Sequence, residues 1–194
     1  NWIKKEDPDI LGFSVLITSY QEAITQALKA KEENPNVTTV LGNYHATFNA
    51  ERILKKYPQI DIIIRGEGET PTLQLTQCLQ NKKNLKQVQG ITYRNNGHII
   101  STPDAPLTGN IDTMPIPDRD LTDADYTSEI FGIKVATRKF TSIVSSRGCP
   151  FQCSFCGCRK FARGVWRPRT VENIMKELHS LHSEGYKQFL FVDD

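Results

Sequence analysis

The sequence predicts an α/β protein in two parts: an open, doubly wound, mostly parallel sheet, then the opening of a β/α barrel. Three observations carry that expectation. Strand-length apolar runs alternate with helix-period segments through residues 10–80. A proline-rich stretch interrupts the pattern near residues 101–120. Beyond it, a strand, a cysteine-rich loop, a helix and another strand follow in order.

Residues 10–17 read as a buried strand and 20–33 as an amphipathic helix. A second strand falls at 37–41, a short helix at 49–57, a third strand at 60–64 and a helix at 70–80. The 60–64 run is of the kind that parallel sheets bury on both faces. Residues 91–94 and 98–100 flank Asn95-Asn96-Gly97 and read as a hairpin with a glycine turn. Pro103, Pro106, Pro115 and Pro117 then mark a linker. The expected parts are therefore 1–100, a linker over 101–140, and 141–194.

In the second part, residues 141–146 form a strand that feeds the cysteine loop. Thr170 is placed to cap a helix over 170–184 that Gly185 ends, and 187–192 is the next strand. Barrel chemistry gathers at the carboxyl ends of strands, where Cys149 and Asp193 both fall. Because the chain starts at Asn1 and stops just after a strand, it is expected to be cut at both ends. It would then lack a first strand and all but the first third of a barrel.

Composition sets bounds. With 194 residues and 38% hydrophobic content, the chain has enough apolar material for a core. A net charge of +2 gives no argument for nucleic acid or membrane, and no apolar run approaches a bilayer span. No signal peptide is visible. Five cysteines, three clustered at ligand spacing, point to metal binding in a reducing compartment rather than to disulfides.

The cluster lies in Arg147-Gly148-Cys149-Pro150-Phe151-Gln152-Cys153-Ser154-Phe155-Cys156. Three thiolates on one tight loop suit a compact metal centre, and a site with three protein ligands leaves a position open. Gly148 permits a sharp turn and a close approach, Pro150 stiffens the loop, and Phe151 and Phe155 are placed to shield the centre. Arg147 and Arg159 favour thiolate over thiol. The alternative is a zinc knob that recruits Cys158, although Cys156-Gly157-Cys158 is tight for zinc pairing. Cys158 otherwise reads as a small filler and Cys78, on a helical pattern, as core. Arg167 and Arg169 read as a loop in solvent or beside the site, and Glu172, Lys176 and Glu177 as a wet helix face.

Three polar loops follow the strands of the first part: Thr18-Ser19-Tyr20, Gly42-Asn43-Tyr44-His45-Ala46-Thr47 and Arg65-Gly66-Glu67-Gly68-Glu69. Open parallel sheets bind ligands outside such ends, and small residues there let backbone amides approach a large flat ligand. Glu67 and Glu69 are placed either to bind ligand hydroxyls or to favour the positive end of the helix that follows.

The C-x3-C-x2-C spacing, with Phe155 before its last cysteine, resembles the radical S-adenosylmethionine (SAM) enzymes. The order of polar loops, the phrase Ile111-Asp112-Thr113-Met114-Pro115-Ile116-Pro117-Asp118-Arg119-Asp120 and the cysteine loop together resemble the cobalamin-binding subgroup of that superfamily. This subgroup includes anaerobic magnesium-protoporphyrin ester cyclases and several carbon methyltransferases. The resemblance covers nearly all of the chain.

The resemblance implies a Rossmann-like cobalamin domain before a radical SAM barrel. Cys149, Cys153 and Cys156 would hold a 4Fe-4S cluster whose fourth iron binds SAM. The backbone around Phe155 would meet the adenine, and Asp193 and Asp194 would face SAM. Thr18, Ser19, Gly42, Asn43, His45, Gly66, Glu67 and Gly68 would contact cobalamin. The activity implied is reductive SAM cleavage to a 5′-deoxyadenosyl radical, used in methylation, cyclisation or rearrangement of a small molecule. An electron donor such as flavodoxin or ferredoxin and a cytoplasmic setting go with it.

One departure concerns a D-x-H-x-x-G motif whose histidine ligates cobalt in many such domains. Residues 43–48 keep His45 but lack the aspartate and the final glycine, and they lie in a later loop. His45 is thereby implied to contact the corrin or its tail, with ligation of cobalt, or a histidine that simply closes its own loop by hydrogen bonds, as the alternatives. A radical SAM protein without cobalamin, of methylthiotransferase type, and a non-catalytic zinc module are the alternatives.

Overall fold

The structure is a computed structural model that describes residues 2–119, 121, 129–130, 133–134 and 138–193. It divides into two compact units, Asn1–Leu107 and Thr108–Asp194. In the first unit, α1 (Trp2–Glu6), β1 (Ile10–Ser14), α2 (Tyr20–Glu33), β2 (Thr38–Gly42), α3 (Asn43–Phe48) and α4 (Ala50–Lys56) come first. Then follow β3 (Ile62–Ile64), α5 (Glu69–Gln80), β4 (Ile91–Asn95) and β5 (His98–Ser101).

The five strands form one sheet in chain order. β1, β2 and β3 run parallel, whereas β4 pairs antiparallel with β3, and β5 with β4. Side chains alternate across a strand, and this divides the core in two. Leu41 and Ile63 turn to one face, where they join Ala23, Ile24 and Ala27 of α2 and Ile53 and Leu54 of α4. Val40, Ile62 and Ile64 turn to the other and pack with Leu75 and Cys78 of α5. Full burial of one such aliphatic side chain is worth about 1.5–3 kcal/mol, so this two-sided burial is what makes three short parallel strands hold. Cys78 is core, as its helical spacing suggests.

The hairpin forms as its sequence dictates. Asn95 pairs with His98 across a two-residue turn in which Asn96 and Gly97 both have positive φ, +48° and +80°. That is the backbone a type I′ turn requires.

Two readings of this unit need correction. The first strand ends at Ser14 rather than at residue 17 and lies at the sheet edge, with Ile17 77% exposed. Ser19 closes a turn there: its Oγ accepts from Leu16 N at 3.1 Å and its amide donates to Leu16 O at 3.2 Å. Apolar content alone cannot tell an edge strand plus turn from a longer buried strand. The loop read over 42–47 is mostly helix α3. Asn43, at φ +76°, lets the chain leave β2 and start that helix at once, with its Oδ1 accepting from Tyr44 N at 2.7 Å.

The second unit holds the paired β6 (Glu129–Ile130) and β7 (Ile133–Lys134), β8 (Phe140–Ile143), β9 (Ser146–Arg147) and α6 (Gly157–Phe161). β10 (Arg167–Pro168), α7 (Val171–Ser183) and β11 (Gln188–Phe191) complete it. β8 and β11 are parallel neighbours joined through α7, the crossover that a barrel repeats, and β9 pairs antiparallel with β10. Thr170 caps α7, its side chain accepting from Asn173 N at 3.2 Å, and Gly185 follows at φ +93°.

The wet face expected on α7 is not wet at Glu177, which is 1% exposed. Its Oε2 accepts from Arg169 Nη1 at 2.6 Å and its Oε1 from Arg119 Nη2 at 2.8 Å. Burial without compensation would be prohibitive for a carboxylate, and two guanidiniums supply that compensation. Arg167 and Arg169 are likewise inside: Arg167 Nη1 donates to Thr108 O at 2.9 Å and Arg169 Nη1 to Val144 O at 2.8 Å. No helix among the described residues is long and apolar enough to cross a membrane.

Candidate functional site

In the first unit the carboxyl ends of β1, β2 and β3 lie at one end of the sheet, because the strands are parallel and adjacent. Side-chain hydrogen bonds tie the segments there into a rim. Asn43 Nδ2 donates to Ser14 Oγ at 2.9 Å, and Gly66 N donates to Thr47 Oγ1 at 3.0 Å. Arg65 holds the third segment down by donating to Ile91 O and to Thr102 O, each at 2.5 Å, and it pairs with Asp104 at 2.9 Å.

Thr18 and Ser19 are exposed on this rim, and Gly42, Asn43, Gly66, Glu67 and Gly68 are half-buried. A Cβ added at Gly66 would meet nothing within 4 Å, so the backbone there borders open space. Its φ of +74° is one that glycine adopts freely. Small residues beside open space fit a broad, flat ligand that needs close backbone approach. His45 is half-buried with its ring 4.3 Å from that of Tyr20, at a tilt of 45°. Its amide donates to Val15 O at 3.4 Å and its carbonyl accepts from Asn49 Nδ2 at 3.0 Å.

Tyr20 in turn meets Tyr57 edge-on, with ring centroids 5.9 Å apart. Burial first, and then the hydrogen bond with Tyr57, push the Tyr20 hydroxyl well above its ordinary range. The Lys56 side chain, followed by Tyr20, pulls Tyr57 down.

In the second unit the cysteine loop leaves β9 through Gly148 at φ +81°. A Cβ there would lie 2.2 Å from Val165 O and 2.7 Å from Ala162 Cβ, so only glycine lets the loop start against the turn after α6. Cys149 is half-buried, Cys153 and Cys156 are exposed, and all three are free thiols. Cys156 N donates to Cys153 O at 3.2 Å, which folds the last two cysteines into one turn.

Among the described residues no three His, Cys, Asp or Glu side chains converge on a single ion. A mononuclear site needs such convergence, whereas a cuboidal cluster gives each thiolate its own iron and asks only that the three surround it. Soft sulfur donors on one accessible loop fit a cluster of that kind. Phe151 and Phe155, on the same loop, stand 71% and 91% exposed. Cys158 is half-buried on α6.

Asp193, just past β11, sits beside the root of this loop. Its Oδ1 accepts from Ser145 N at 2.6 Å and from Ser146 N at 3.0 Å, and its Oδ2 accepts from the Ser145 hydroxyl. Burial pushes its carboxyl up, but the bonds from Ser145 and Ser146 outweigh that and hold it below its ordinary value. Asp194 lies outside the described residues.

Sequence reasoning missed the partners that set these groups in place. Ser14 and Thr47 are ordinary polar residues until the parallel sheet aligns their strand ends. Asp112, in the proline-rich segment, accepts from Thr170 N at 3.1 Å, and Arg119 donates to Thr141 Oγ1 at 2.9 Å and to Ser142 O at 2.9 Å. The recurrence of charge in Asp112, Asp118 and Arg119 among prolines was the available signal.

Comparison with known proteins matches both regions. The family described as B12 binding domain matches residues 1–76, and the radical SAM superfamily matches residues 143–194. An uncharacterized methyltransferase of Pyrococcus horikoshii is 38% identical over 193 residues, covering 99% of this chain and 41% of that protein. The anaerobic magnesium-protoporphyrin IX monomethyl ester cyclase of Cereibacter sphaeroides is 32% identical over 197 residues, covering 99% of this chain and 31% of that protein. Among solved structures, the cobalamin-dependent S-adenosylmethionine radical enzyme OxsB, with aqua-cobalamin and S-adenosylmethionine bound, aligns with a TM-score of 0.72 at 23% identity. That alignment covers 99% of this chain and 26% of the other, and it shows a shared fold. The chain thus spans less than half the length of each of these relatives.

Proposed function

We propose that the chain, which matches the B12 binding domain over residues 1–76 and the radical SAM superfamily over residues 143–194, serves a cobalamin-dependent radical SAM methyltransferase or cyclase. The observation that carries the reading is the C-x3-C-x2-C loop, which follows the parallel strand β8 through the short β9 and is preceded by a sheet whose three parallel strands end at an open polar rim.

In this reading Cys149, Cys153 and Cys156 hold a 4Fe-4S cluster. Thr18, Ser19, Gly42, Asn43, His45, Gly66, Glu67 and Gly68 border cobalamin. The bound cofactors supply an electron that cleaves SAM to methionine and a 5′-deoxyadenosyl radical, and a cobalt centre that carries a group or an electron. The chain's own part is to hold and orient them. Gly148 starts the loop, Asp193 fixes its root through Ser145 and Ser146, and the backbone around Phe155 meets the adenine. The cobalamin part is assigned to residues 1–100, the connection to 101–140 and the barrel from 141. A small-molecule substrate, a flavodoxin- or ferredoxin-type donor and a reducing, cytoplasmic setting complete the proposal.

Anaerobic reconstitution with iron and sulfide tests it. Four irons and four sulfides per chain are expected, lost on Cys→Ala change at Cys149, Cys153 or Cys156 and kept in Cys78→Ala and Cys158→Ala. Retention of zinc in place of iron, with Cys158 required, refutes the cluster. Failure to retain cobalt after incubation with cobalamin refutes the cobalamin half alone.

A further inference from the structure

Arg169 follows β10, and its side chain is 8% exposed. Pro168 before it has no N–H to give, so the two-residue ladder of β9 and β10 is short of donors. Arg169 makes up the shortfall twice. Its backbone N donates to Ser145 O at 2.9 Å, and its Nη1 donates to Val144 O at 2.8 Å. The C=O and N–H of a trans peptide point oppositely, and on the N–H side stands Asp193. Its Oδ1 accepts from Ser145 N at 2.6 Å and from Ser146 N at 3.0 Å.

Two consecutive peptide units, Val144–Ser145 and Ser145–Ser146, therefore have each carbonyl bonded to Arg169 and each amide bonded to Asp193. Turning either unit breaks a bond on both sides, and three of the four bonds have a charged partner. The guanidinium is itself held by α7. Its Nε donates to Asn173 Oδ1 at 2.7 Å and its Nη1 to Glu177 Oε2 at 2.6 Å, while Arg119 takes the other oxygen of that carboxylate. Cys149 lies three positions beyond Ser146, at most about 11 Å of extended chain. It is half-buried where Cys153 and Cys156 are exposed, so its surroundings are the ones this root sets.

We infer that Arg169 is a positioning residue for the cluster: it fixes the two peptide units that deliver Cys149. Asn173 and Glu177 orient its fork, and Asp193 is the opposing half of the grip. This rests on the cluster reading given above, and it adds no covalent or redox step. The potential of a cluster follows the hydrogen bonds and exposure around its sulfurs. Groups one step behind a metal's ligands change its affinity by about 10–100-fold when removed. Loosening Cys149 therefore registers at the iron as well as in the fold.

The test compares wild type with Arg169→Gln, Arg169→Lys and Leu181→Ala, each reconstituted anaerobically with iron and sulfide. Leu181, 2% exposed on α7, is the control: its truncation loosens the helix without removing a hydrogen bond to residues 144–146. Arg169→Gln should release iron to a chelator at least about tenfold faster than wild type and change the paramagnetic spectrum of the reduced cluster. Leu181→Ala should lower the thermal midpoint and leave both cluster readouts at wild type. Arg169→Lys keeps a charge beside Glu177 but loses the planar fork, so it should recover part of the midpoint and still release iron faster. A folded Arg169→Gln with wild-type iron release and spectrum overturns the proposal, and so does a Leu181→Ala that matches it in both changes. If Arg169→Gln fails to fold, Arg169→Lys is judged by the same two readouts. If wild type itself holds no iron, the cluster reading fails, and the grip on Cys149 is decided separately on the metal-free chain. There a maleimide should label Cys149 several-fold faster in Arg169→Gln than in wild type, with Cys153 unchanged. Equal labelling of Cys149 overturns the positioning role.

Discussion

Glu177 and Arg169 are bound at 2.6 Å in the interior of the second unit, and Arg119 approaches the other oxygen of the same carboxylate at 2.8 Å. Through this triad α7 is tied to the strand-like turn at Arg169 and to the proline-rich segment at Arg119. Two guanidiniums converge on this one buried carboxylate, so removing it takes an ionic partner from both. Glu177→Ala should destabilise the fold by about 3–5 kcal/mol, the cost of orphaned buried charges. Urea unfolding measures this, and a loss below about 1 kcal/mol would mean that the carboxylate is hydrated.

Gly148 admits no side chain. Alanine would place its Cβ 2.2 Å from a backbone oxygen, at a φ of +81° that L-residues avoid. Overpacking of this kind costs about 1–3 kcal/mol, with the strained φ added. Gly148→Ala should lower the thermal midpoint and cut iron retention, whereas Gly97→Ala in the open hairpin turn should affect stability alone. Iron retention equal to wild type would show that the loop can start elsewhere.

Asp193 gives a pH dependence of known sign. Its carboxyl is held below the ordinary 3.8, so the tie to Ser145 and Ser146 is complete at neutral pH. It is lost as acid takes the pH below 3.8 and through the lower folded-state value. Asp193→Asn should therefore lower the thermal midpoint at neutral pH, and the gap between variant and wild type should close on acidification. A gap that widens in acid contradicts the assignment.

The His45 ring packs on Tyr20 and has no carboxylate drawn to it in the described hydrogen bonds, whereas metal-ligating histidines usually have such a partner. With cobalamin bound, His45→Ala should weaken affinity modestly and leave the cobalt(II) paramagnetic spectrum without a change in axial nitrogen splitting. Nitrogen splitting that disappears in the variant would make His45 the ligand.

What could be read from sequence was whatever local chemistry decides. The Asn96-Gly97 turn, the Thr170 cap and the glycine before Cys149 each follow from one residue's own conformational preference, and each was legible. The end of β1 was not, because Leu16 and Ile17 are apolar enough for a strand and only the edge position with Ser19's turn stops it. Nor was α3, since Asn43's left-handed φ is a tolerance that becomes a start signal only after β2 has delivered the chain there. Glu177 looked like a surface residue because its partner Arg119 lies 58 positions away. The shared rim of Ser14, Asn43, Thr47 and Gly66 was legible as loops in the right places, while its hydrogen bonds needed the sheet register.

The bond from Asp193 to Ser145 has a consequence in time. The two residues are 48 positions apart, with all three cluster-loop cysteines between them. A ribosome therefore delivers every thiol before it delivers the carboxylate that fixes the loop's root. During that interval the root of the loop lacks the bonds that Ser145 and Ser146 donate to Asp193, so the three cysteines are positioned only once that strand has joined its neighbour.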